Sequence, residues 1–84
     1  MPTISSFYGI LILMHLTRKE HLPPHIHAYY GEYEATFKIS DGEILYGTFP
    51  EKGRQLVKEF VLLHQTELME MWLTETYKKL PPLR

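Results

Sequence analysis

Eighty-four residues without a cysteine leave room for one small domain and exclude disulfide scaffolds and thiolate metal sites. The formal net charge of −1, with Arg18-Lys19 and Lys78-Lys79 as its adjacent basic pairs, argues against a dedicated duplex-DNA binder. The apolar run at 9–14 is too short to cross a bilayer and has no charged segment before it, so a cytoplasmic protein without membrane contact is expected.

Residues 1–6 read as a polar lead-in. Residues 7–16 read as a strand, almost continuously apolar through Ile10, Leu11, Ile12, Leu13 and Met14, and such a run predicts burial on both faces. A polar loop follows over 17–24, held extended by Pro23-Pro24.

Gly31-Glu32 lies between two β-favouring runs and predicts a two-residue type II′ hairpin turn. That turn sets Tyr30 opposite Tyr33, Tyr29 opposite Glu34, His27 opposite Thr36 and His25 opposite Lys38. Alternation then sorts the hairpin into a core face (Ile26, Ala28, Tyr30, Tyr33, Ala35, Phe37) and a polar face (His25, His27, Tyr29, Glu34, Thr36, Lys38).

Asp41-Gly42 predicts a second two-residue turn, of type I′, pairing Ile39 with Ile44, Phe37 with Tyr46 and Ala35 with Thr48 on the core face. Thr36 would meet Gly47, whose missing side chain would leave space beside the histidines or mark a bulge. Leu45 would stand alone as an apolar residue on the polar face.

Pro50 suits the first position of a helix, with Glu51 at its positive end. Apolar residues recur at helical spacing at Leu56, Val57, Phe60, Val61, Leu63, Leu68, Met71 and Trp72. One helix over 50–79 would be about 45 Å long, roughly twice the length of a seven-residue strand, so a break is expected near His64-Gln65-Thr66. Lys78-Lys79 suits the helix end and Pro81-Pro82 its stop. The expectation is therefore an α+β domain over 1–84: an antiparallel sheet of three to four strands (about 7–49) packed on a broken C-terminal helix in two segments (about 50–79).

The polar face supports three chemistries. His25 and His27, two apart on one strand, could chelate a divalent transition metal such as zinc, with His21 folding back as a third ligand and Glu34 or His15 as further candidates. The same two histidines could act as acid and base in metal-free RNA cleavage, with Lys38 as the catalytic cation, Arg18 nearby on the loop and Tyr29 stacking a base. The plainest reading is a non-enzymatic interaction module, with the apolar first strand and Leu45 covered by a partner or by a second copy in a homodimer. Elsewhere, His64 reads as a satisfied histidine at the edge of the core, and Met71 and Trp72 as core.

Met1-Pro2-Thr3-Ile4-Ser5, Phe7-Tyr8-Gly9-Ile10, Pro23-Pro24-His25-Ile26-His27, Tyr30-Gly31-Glu32-Tyr33-Glu34-Ala35 and Leu63-His64 with Glu67-Leu68 and Trp72 resemble a prokaryotic family called domain of unknown function 4160. The chain departs from the family pattern at Arg18-Lys19-Glu20, where acidic residues are usual, and at Met71, where asparagine is usual. The first departure argues against a carboxylate pair near His21. The resemblance implies a small bacterial protein encoded beside a member of the family numbered 2442, in a toxin–antitoxin-like arrangement. A component of such a pair, acting on or binding RNA through the histidine strand and partnered by the small protein of the same operon, is the functional expectation.

Overall fold

The computed structural model describes residues 3–14, 23–76 and 78–83. Five strands, β1 (Thr3–Phe7), β2 (Ile10–Leu13), β3 (His25–Tyr30), β4 (Tyr33–Lys38) and β5 (Ile44–Thr48), make one antiparallel sheet in sequence order. Two helices follow, α1 (Glu51–Leu63) and α2 (Gln65–Thr74). This is the expected α+β architecture with one more strand than expected.

The extra strand comes from a turn that composition conceals. The stretch expected to be a lead-in followed by one long strand is a hairpin, with Phe7 opposite Ile10 and Tyr8-Gly9 as its two central residues. Both have positive φ, 51° at Tyr8 and 80° at Gly9, the pattern of a type I′ turn. A left-handed tyrosine costs about 1–2 kcal/mol relative to glycine, so nothing in its intrinsic preference announces a turn.

The central hairpin forms as its sequence predicts. All six pairs from His25–Lys38 to Tyr30–Tyr33 are present, and Gly31 takes the positive φ (57°) of the first position of a II′ turn.

The next hairpin corrects the expectation. Asp41-Gly42 is not a two-residue turn: the Lys38 N–H donates to the Glu43 carbonyl (2.8 Å) and the Gly42 N–H to the Lys38 carbonyl (2.8 Å), which closes a four-residue loop over 39–42. Phe37 therefore pairs with Ile44, and a bulge at Leu45 moves the rest of β5 by one, setting Thr36 against Tyr46 and Ala35 against Gly47. Tyr46 and Thr48, expected inside, are exposed.

The helical half breaks where length demanded, at His64 (φ −112°, ψ 27°). Gln65 fixes the break against the sheet by donating to the carbonyls of Ile39 and Ser40, each at 2.7 Å. Pro50 is the extended residue before α1 rather than its first helical residue. α2 stops at Thr74 because Glu75 turns left-handed (φ 56°), so Lys78-Lys79 lies beyond the helix. From there the chain returns to β1, where the Leu80 N–H donates to the Ile4 carbonyl (2.9 Å) and the Leu80 side chain is buried.

The core lies between one sheet face and the helices. Ile10, Ile12, Ile26, Ala28, Ala35 and Phe37 meet Val57, Phe60, Val61, Leu68 and Met71, with the Phe7 and Phe60 rings 5.1 Å apart. Tyr30 and Tyr33, expected in this layer, sit at the hairpin tip and are partly exposed, and Leu63 points to solvent.

Candidate functional site

The pairings stack the residues of the outer sheet face into rows. Ser6, Leu11, Tyr29, Glu34 and Thr48 are successive partners across all five strands, and so are Thr3, Leu13, His27, Thr36 and Tyr46. His25 and Lys38 begin a third row. The histidine strip thus lies mid-sheet, with Leu11 (exposed) and Leu13 (buried) beside it on β2 and exposed Tyr46 on β5.

His25 and His27 project from this same face as expected, with ring centroids 5.1 Å apart. His25 is only 6% exposed, and the indole of Trp72 also packs against it, at 5.1 Å. Trp72 was expected in the core; it also forms a wall of the histidine strip, a contact between distant elements that no local spacing signals. The His25 Nδ1 lies 2.9 Å from the Pro23 carbonyl. A carbonyl can only accept, so Nδ1 donates. Pro23 therefore does more than stiffen the approach, because its carbonyl fixes the orientation of the His25 ring.

The expected cation is in register but engaged. Lys38 stands opposite His25, and its Nζ pairs with Asp41 Oδ2 at 3.2 Å. The Glu43 backbone N–H (2.9 Å), followed by Lys38, holds the Asp41 carboxyl below its ordinary range. Across the first row, burial, followed by the charge and hydrogen bond of Glu34, pushes the Tyr29 phenol up. Gly47 leaves no space beside the histidines. Its φ is +94°, and a Cβ there would press into the Glu34 carbonyl oxygen and lie 2.8 Å from the Ala35 Cα, so close approach of β4 demands glycine there.

Arg18, His21 and His15, named as binding or ligand candidates, lie outside the described residues. Among the described residues no cluster of three or more histidine, aspartate or glutamate side chains is arranged to hold a metal. His25 and His27 are the two that could contribute to one.

His64 was expected to be a satisfied boundary histidine and is only half so. It is 7% exposed at the helix break, its Nδ1 bonds Glu67 Oε1 at 2.8 Å, and its Nε2 is buried beside the Phe60 ring without a hydrogen-bond partner among the described residues.

The model of a family described as a domain of unknown function (DUF4160) matches residues 9–73. The chain belongs to that family. The matched stretch of this DUF4160 chain runs from the glycine of the first turn to α2, and so contains His25, His27, Lys38, Trp72 and the His64–Glu67 pair. Comparison with curated proteins and with solved structures found no match. No helix among the described residues is long and apolar enough to cross a membrane.

Proposed function

We propose that this DUF4160 domain is a binding module that docks a second protein on the outer face of its sheet. The observation that carries this reading is the exposure of Leu11 (43%) and Tyr46 (68%) on that face. Partly exposed Tyr29 and His27 lie between them in the strand order, while His25 is sealed beneath Trp72. Tyrosine is enriched in protein interfaces, and an exposed leucine on the same face adds apolar area that a partner would bury. A molecule of 30 × 24 × 22 Å has a face of the order of the ~800 Å² per partner that standard interfaces bury. The companion would be the small protein of the same operon that the family resemblance leads one to expect.

An aromatic sheet face is also a platform on which RNA bases stack. Against that reading, Glu34 lies in the middle of the face, and Lys38, opposite His25, is paired with Asp41. The proton that Pro23 holds on His25 Nδ1 matches the way a metal-bound histidine is oriented by a carbonyl, which supports zinc binding as the alternative.

Titration calorimetry against the co-encoded small protein tests the module. Leu11→Ser and Tyr46→Ser should each weaken binding at least tenfold with unchanged melting temperature. Unaltered affinity in both variants, or RNA degradation by wild type that His27→Ala abolishes, would overturn the proposal. Metal content of wild type and His27→Ala, purified without chelator, decides the alternative.

A further inference from the structure

A cavity of about 480 Å³ opens at the far side of the sheet from the outer face, between the β1–β2 turn and the start of α1. Ile10, Gly53 and Leu56 contribute to its lining; Tyr8, Tyr30 and Lys52 are its polar members. Its volume falls in the range of small-molecule sites.

Three features at this cavity define what it offers a ligand. Tyr8 holds a left-handed backbone (φ 51°) that disfavours a bulky side chain, yet its ring is 56% exposed, so burial does not offset the strain. Gly9 lets the Tyr30 ring close over the turn: a Cβ at Gly9 would sit 3.2 Å from the Tyr30 Cε1. Of the three cations on α1, Arg54 is paired with Glu51 and Glu43 and Lys58 with Glu43, whereas Lys52 makes no ion pair among the described residues. Among the described residues no carboxylate lines the cavity, and Lys52 gives it a positive charge.

We propose that this cavity binds a small planar aromatic acid, its ring against the Tyr8 and Tyr30 side chains and its anionic group at the Lys52 ammonium. Aromatic walls with one unpaired cation match a flat ring carrying a single carboxylate or phosphate. The site is separate from the outer sheet face and does not depend on the docking function.

The test is an amide chemical-shift titration of the full chain with adenosine 5′-monophosphate and with indole-3-acetate, each beside its neutral counterpart, adenosine and indole-3-acetamide. At least one acid should give saturable shifts at Tyr8, Gly9, Tyr30, Lys52 and Gly53, and the responding acid identifies the anionic group as phosphate or carboxylate. Lys52→Gln should weaken that acid about tenfold and leave its neutral counterpart unchanged. Tyr8→Asn creates the Asn-Gly pair favoured in a type I′ turn and removes the ring. It should keep or raise the melting temperature and lose binding at least tenfold. The proposal fails if neither acid gives saturable shifts, if the neutral compounds bind wild type as tightly as the acids, if Tyr8→Asn still binds, or if Tyr8→Asn lowers the melting temperature.

Discussion

A methyl group at position 47 would have to displace backbone, not a flexible side chain, because its neighbours are the Glu34 carbonyl and the Ala35 Cα. Together with the left-handed φ, this makes Gly47→Ala destabilising by about 2 kcal/mol or more, read as a fall in the urea midpoint. Tyr29 gives a second residue-level outcome. Its phenol is raised above the ordinary value of about 10, so the stability linked to its proton is fully present below about pH 10 and is lost as pH rises through the folded value. Removing the charge in Glu34→Gln should move the phenol down toward 10 without reaching it, since burial persists; ultraviolet titration measures the shift. The common face of His25, His27 and Tyr29 was legible because it depends only on strand alternation. The contact of His25 with Trp72 was not, because the two residues meet only after the sheet and α2 have packed.

Among the elements, the turns separate what sequence can and cannot specify. Gly31-Glu32 fixed six pairs correctly because glycine occupies the one position where a II′ turn requires positive φ. Asp41-Gly42 looked equally firm, but only Gly42 (φ 73°) is left-handed there, and the Lys38 carbonyl reaches it across four residues. Tyr8-Gly9 gave no signal, since tyrosine is not a turn former. The break at His64 was foreseen from length alone, whereas the role of Gln65 was not, because its acceptors Ile39 and Ser40 are 26 and 25 residues away. Gln65→Ala should cost about 1–2 kcal/mol and speed amide exchange in the 39–42 loop. Unchanged exchange would mean that the helix break and the loop are held independently.

For the whole molecule, sheet and helices share a single core, and the returning C-terminal segment ties it to β1. Leu80→Ala should lower stability by about 2–4 kcal/mol, measured by urea denaturation, because it empties a buried position at the junction of the helical half and the sheet. The same segment bears on how copies of the chain behave in a crowded solution. β1 already has its outer edge engaged at Ile4 by Leu80, and β5, the opposite edge, is bent by the Leu45 bulge and left-handed at Gly47. A straight, unpaired edge is the template on which fibrils grow, and this sheet offers none at either end. Association is thereby directed away from the strand edges, and the sheet can expose Leu11 and Tyr46 on its outer face without seeding its own precipitation.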